Sequence, residues 1–153
     1  MRRTSLLYRL IFGPSASLYS YEVEILRAVK EKLPQETSRK LNAQLENLPR
    51  RQRQDQGRIL AFFAETKDYF PPEILFENSQ DDLCFAIIEL RPRNAKEEVL
   101  TAQLYATGGS FFSIEYDLTP SRKGFEDGTE VTVNQVTITA DLERVETKSD
   151  NGA

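Results

Sequence analysis

The sequence reads as an α+β domain, with an N-terminal strand and two amphipathic helices packed on a mainly antiparallel, twisted sheet formed by the C-terminal half. Three observations carry that reading. Apolar residues recur at spacings of three and four between residues 18 and 48, the period of a helix. From Leu83 onward the period becomes two, that of a strand. Gly and Pro punctuate the change at Gly13-Pro14, Pro34, Pro49, Pro71-Pro72, Gly108-Gly109 and Asp127-Gly128.

Leu6, Tyr8, Leu10 and Phe12 alternate with Leu7, Arg9 and Ile11, so residues 6–12 are expected to form a mostly buried strand. Arg2-Arg3 ahead of this run resemble the start of a secretory leader, but Arg9 breaks the uninterrupted apolar stretch a leader needs. Ser17 is placed to cap a helix over 18–33, whose stripe is Leu18, Tyr21, Ile25, Val29 and Leu33. Pro34 suits the first turn of a second helix, where its missing N–H costs nothing; Leu41, Leu45 and Leu48 are its stripe and Pro49 its stop. The wholly polar stretch 50–58 reads as a loop or an exposed strand start. Ile59–Ala64 reads as a strand and Ile74–Phe76 as a short one. Leu83–Leu90, apolar on both faces, reads as a central strand covered on both sides.

Val99–Thr107 and Ser110–Leu118 flank Gly108-Gly109 as a hairpin. Leu100, Ala102, Leu104 and Ala106 share one face of the first strand; Phe112, Ile114, Tyr116 and Leu118 share one face of the second. A two-residue turn pairing Thr107 with Ser110 sets Leu104 opposite Ser113 and puts the apolar sets on opposite faces. A three-residue loop with a bulged glycine brings them together, and is the expectation here. In the last strand Val131 and Val133 keep one phase while Val136, Ile138, Ala140 and Leu142 keep the other, so a β-bulge is expected at Asn134-Gln135. Residues 1–142 are expected as one domain and 143–153 as a flexible polar tail.

The chain has 153 residues, enough to bury roughly 70% of its extended surface. Nine Phe and six Tyr in a 39% hydrophobic composition are values of a folded globule. No stretch approaches the ~20 apolar residues of a membrane span. Cys84 stands alone in the run Leu83-Cys84-Phe85-Ala86-Ile87-Ile88, so no internal disulfide forms, and a buried, inert thiol is expected in a cytoplasmic protein. Leu83, Phe85 and Ile87 form a strip that either this chain or a second one covers.

Absences narrow the chemistry. There is no histidine, so Ser-His-Asp and Cys-His catalysis within this chain are impossible, as is a His/Cys zinc site. No phosphate-cradling Gly-x-x-x-x-Gly-Lys occurs, and Gly108-Gly109 joins two strands instead of opening a helix. No cofactor is implied. Carboxylate chemistry survives: Glu115 and Asp117 lie two apart on one strand, and Asp81-Asp82, Glu97-Glu98 and Glu126-Asp127 are further pairs, although solvated faces explain all of them.

Two surfaces remain as candidates for contact. Arg50, Arg51, Arg53 and Arg58 form a cationic cluster that suits an acidic partner or a nucleic acid, and equally suits the negative end of the preceding helix. The net charge of −4 disfavours nucleic acid as the partner. The outer face of the hairpin collects Thr101, Gln103 and Tyr105 with Phe111, Ser113, Glu115 and Asp117, a polar face with two aromatics, as protein-recognition surfaces have. The leading expectation is therefore a non-catalytic protein-binding domain, with a basic protein the best electrostatic match. In size and charge the chain resembles bacterial immunity proteins, which cover the site of a toxin. The alternatives are an assembly subunit of a bacterial or phage complex, and an enzyme using carboxylate or lysine chemistry.

Overall fold

The computed structural model describes residues 17–48, 50–63, 70–95 and 97–145; the strand expected over 6–12 lies outside them. Helix α1 runs Ser20–Lys32 and helix α2 Gln35–Asn47. Both keep the apolar stripe read from the sequence: Tyr21, Ile25, Val29, Leu33, Leu41 and Leu48 are buried. Their starts differ from expectation. Ser17 does not cap α1; instead Glu22 in the first turn accepts the Tyr19 N–H at 2.6 Å, and Asp127 accepts the Ser20 N–H at 3.1 Å. Pro34 sits one residue earlier than expected, at the cap of α2.

Six strands follow: β1 Arg50–Gln54, β2 Ile59–Phe63, β3 Leu83–Pro92, β4 Leu100–Thr107, β5 Ser110–Tyr116 and β6 Val131–Ile138. They form one sheet in the order β1-β2-β5-β4-β3-β6, every neighbouring pair antiparallel. The polar stretch 50–54 is thus a full edge strand. The short strand expected at Ile74–Phe76 is a 3-10 turn over Pro72–Ile74 instead. Pro71 and Pro72 withdraw their N–H groups from any ladder, and the Phe76 N–H bonds the Gly109 carbonyl at 2.8 Å.

The hairpin corrects the three-residue loop. Thr107 pairs with Ser110 across Gly108-Gly109, and both glycines have positive φ, 60° and 83°, as a two-residue type I′ turn demands. The requirement that motivated the longer loop is met elsewhere. Tyr105 pairs with Ser113 while Ala106 pairs with Phe111, so Phe112 is an extra residue in β5. Leu104 now faces Ile114, and both apolar sets share a face. The bulge exchanges two aromatics: Phe111 enters the core at 1% exposure, while Phe112 stands at 39%. The bulge expected in the last strand is present, with Gln135 opposite Glu89 and Val133 opposite Leu90, leaving Asn134 unpaired in β6.

Both helices pack on one face of the sheet, where Phe111 stacks near Phe62 (4.7 Å between ring centroids) and Phe85 (6.1 Å). The 119–130 loop joins that side, with Phe125 5.7 Å from Tyr21. Gln44 of α2, fully buried, donates to the carbonyls of Ile74 (2.6 Å) and Gly109 (3.2 Å) and accepts the Phe111 N–H at 2.7 Å. On β3, Phe85, Ala86, Ile88 and Leu90 are buried in this core, whereas Ile87 and Glu89 on the reverse face are only half-buried. Among the described residues no helix lies over that second face, although Ala61 and Ser113 on it are almost fully buried.

Phe111→Ala is expected to cost about 3–5 kcal/mol of stability and Phe112→Ala less than about 1 kcal/mol, read as urea midpoints. Equal losses would contradict the bulge.

Candidate functional site

Register assigns the side chains of the helix-free face. One row crosses the sheet as Gln52, Ala61, Ser113, Tyr105 and Cys84; the next as Gln54, Ile59, Glu115, Gln103, Ile87 and Thr137; a third holds Thr101, Glu89 and Gln135. Of the hairpin residues singled out by sequence, Thr101, Gln103, Tyr105 and Glu115 share this face half-buried; Ser113 points to the same side but is 1% exposed, so it cannot itself touch a partner. Phe111 does not share the face. The β5 bulge turns it into the core, and it cannot touch a partner. Asp117 lies just past β5, where it accepts the Thr101 N–H at 3.0 Å and returns its own N–H to the Thr101 carbonyl.

Neighbouring groups hold this face in place. The Tyr105 hydroxyl donates to Gln103 Oε1 at 3.0 Å, and the Ser113 hydroxyl to Glu115 Oε2 at 3.0 Å. Partial burial, with Cys84, Glu115 and Asp82 nearby, pushes the Tyr105 phenol above its ordinary value, so it stays a protonated donor at neutral pH. Cys84 is on this face and half-buried, not sealed in the core as expected. A bulge at Phe85 puts both Phe85 and Ala86 inward and leaves Cys84 on the other side.

The arginine cluster is dispersed. Arg50 is buried at 2% exposure and shares the reverse face with Phe63; Arg51 and Arg53 alternate toward the helices beside Phe62 and Leu60. Arg58 Nε bonds Asp55 Oδ2 at 2.6 Å. Four guanidiniums directed to two faces and a loop do not make one cationic surface.

Arg53 leads to a feature the sequence reading missed. Its guanidinium lies 3.4 Å from the Tyr19 ring centroid, donates to the Ser17 carbonyl at 2.6 Å and pairs with Glu22 through both Nη2 and Nε. Glu22 is fully buried, which pushes its carboxyl above the ordinary value against the pull of Arg53. The pair backs a cleft of about 340 Å³ lined by Tyr19, Tyr21, Arg53, Phe125 and Asp127. Asp55 and Gln56, at φ 50° and 56°, carry the β1–β2 turn past its rim, a conformation costing about 1–2 kcal/mol per non-Gly residue. Among the described residues the buried Tyr116 hydroxyl has no hydrogen-bond partner, and desolvation raises its pKa well above the usual phenol value. A signal for Glu22 was present: it falls between Leu18 and Ile25 on the apolar stripe, where a charge must find a buried partner.

Among the described residues no group of His, Cys, Asp and Glu could hold a metal ion, and no helix is long and apolar enough to cross a membrane. Comparison with family models, curated proteins and solved structures returned no match, so geometry alone carries the functional argument.

Arg53→Met strands the Glu22 carboxylate. The expected cost at pH 7 is toward the lower end of about 3–5 kcal/mol, because Arg53 keeps some solvent contact. A raised folded-state pKa favours the folded protein as pH falls, so the deficit should shrink on acidification toward pH 5 and be largely removed by adding Glu22→Gln. A deficit independent of pH in denaturant titrations would contradict the buried charge. Tyr116→Phe deletes an unsatisfied buried hydroxyl and is expected to raise stability by about 1 kcal/mol in the same assay.

Proposed function

We propose that this chain is a non-catalytic protein-binding domain that meets its partner with the helix-free face of the sheet. The observation that carries the reading is Tyr105. It stands near the middle of that face, held by Gln103 and flanked by Ser113 and Cys84, with no helix above it among the described residues. A half-buried aromatic with a polar tip, fixed by a neighbouring amide and beside a half-buried carboxylate, is the composition of an interface centre. Ordering such a face costs little on binding, since Tyr105, Gln103, Ser113 and Glu115 are already hydrogen-bonded to one another.

Charge supports a basic partner. Asp82, Glu89, Glu115 and Asp117 lie on or beside this face, with the buried Arg50 and the half-buried Arg91 as its cations. These acids outnumber them and the net charge of the chain is −4, so a cationic protein surface would be steered toward it. A toxin-neutralising, immunity-like role in a bacterial cytoplasm is the specific form of this reading that we favour. An assembly subunit would use the same face as a permanent contact. Carboxylate catalysis at the cleft is the reading against which Glu22 itself argues: both its oxygens are taken, one by the Tyr19 N–H and both by Arg53, leaving it no substrate proton to move.

Affinity capture from the source organism tests the proposal, using the wild-type chain beside Tyr105→Ala and Gln103→Arg/Glu115→Arg variants. The expected result is a protein retained by the wild type, weakened roughly tenfold or more by Tyr105→Ala and lost with the double variant. A partner held equally by all three chains would overturn the sheet-face reading, and a wild-type chain that retains nothing would overturn protein binding altogether.

A further inference from the structure

The two edges of the sheet are built differently. At one end β1 is Arg50-Arg51-Gln52-Arg53-Gln54, five residues with three arginines. At the other, β6 is Val131-Thr132-Val133-Asn134-Gln135-Val136-Thr137-Ile138, with no charge, no proline and no glycine. Sheets normally guard an edge with charge, proline or brevity, because its unpaired N–H and C=O groups are a template for another strand. The β1 edge has that protection. β6 lacks it, and among the described residues pairs only with β3.

Backbone phase shows which groups are free to pair. The Thr139 N–H bonds the Phe85 carbonyl; alternation then turns the main-chain groups of Thr137 and Gln135 toward β3 and those of Val136 and Ile138 away from it. The side chains agree. Val133, Val136 and Ile138 belong to the core layer yet are only partly buried, since among the described residues the sheet ends beside them. Val23 of α1, 47% exposed, lines a shallow groove with Val131 at the same border. On the reverse face Thr132, Gln135 and Thr137 are exposed and neutral.

The geometry points to β6 as a self-association edge, pairing antiparallel with β6 of a second copy about a two-fold axis at Thr137. In that register Val136 of one copy exchanges both main-chain hydrogen bonds with Ile138 of the other, and the reverse. The same pairing sets Val136 against Ile138 on the core side and Thr137 against Thr137 on the open side, apolar–apolar and Thr–Thr pairs that favour a sheet. A second copy is the occupant the strand fits. An isologous contact sets the strand against its own sequence, so a charge at the axis would meet its like, which this uncharged strand avoids. The result is one continuous sheet with the helices of both copies on one side and the two open faces joined on the other.

Light scattering and sedimentation of the full chain test this, with variants at Thr137, whose exposed side chain leaves the core untouched. The wild type is expected to run at twice the chain mass up to the hundred-micromolar range. Thr137→Lys and Thr137→Glu, each placing like charges across the axis, are expected to be monomers with unchanged circular dichroism, and an equimolar mixture of the two is expected to recover the dimer. A wild-type monomer throughout that range overturns the proposal. So does a Thr137→Lys dimer, which would mean a different surface, or a mixture that stays monomeric. Partner capture on the open face reads out separately, so its failure leaves this result unchanged.

Discussion

The structure depends on one extra residue in β5. A type I′ turn over Gly108-Gly109 fixes Thr107 against Ser110, and unbroken pairing from there would set the apolar side of β4 against the polar side of β5. The bulge at Phe112 shifts the phase by one, so Leu104 and Ala102 share a face with Ile114 and Tyr116. Beyond the bulge Phe111 points inward, where its ring meets those of Phe62 and Phe85 from β2 and β3. Contacts of that kind are worth about 0.5–1.5 kcal/mol each beyond the area they bury. The same shift puts Tyr105, Gln103, Ser113 and Glu115 together outside. Core and candidate interface are two consequences of a single inserted residue.

Buried polar groups then tie the helices to the sheet in fixed positions, where apolar packing alone would tolerate sliding. Gln44 serves the hairpin: pairing of β2 with β5 stops at Ala61 and Ser113, and beyond it the Phe111 N–H bonds the Gln44 amide oxygen instead of a strand. Glu22 and Arg53 serve the edge, joining the first turn of α1 to β1 through a pair that only a matched partner makes tolerable. Lys40, nearly buried on α2, does the same for the chain beyond β6 by donating to Glu143 at 2.8 Å.

These features explain what could be read from the sequence and what could not. Period alone gave both helix stripes, the strand bounds near Leu83, Leu100 and Ser110, and the slip at Asn134, because each is a local pattern of apolar spacing. The slip in β5 is also a local pattern, but adjacent Phe111 and Phe112 make both phases look apolar, so the conflict was assigned to the turn instead of the strand. The β1 strand was illegible for the opposite reason: Arg51 and Arg53 occupy inward positions usually held by apolar residues, and for Arg53 it is Glu22, Tyr19 and the Ser17 carbonyl, more than thirty residues away, that make the position acceptable. Of the hairpin site, Thr101, Gln103, Tyr105 and Glu115 share the helix-free face, Asp117 borders it, Ser113 lies on that side but is buried, and Phe111 was lost to the bulge.

The same asymmetry bears on how the molecule meets others. Its charged groups are concentrated where they are held: Arg53 against Glu22, Arg58 against Asp55, Arg27 between Glu24 and Glu31, and Arg39 with Glu36. On the helices Arg27 and Arg39 are thus matched by neighbouring acids, and long-range steering from these two largely cancels. The helix-free sheet face keeps carboxylates beside a tyrosine, and β6, with its valines, pairs among the described residues only with β3. Recognition by charge and aromatic contact therefore suits the first, and recognition by main-chain pairing suits the second.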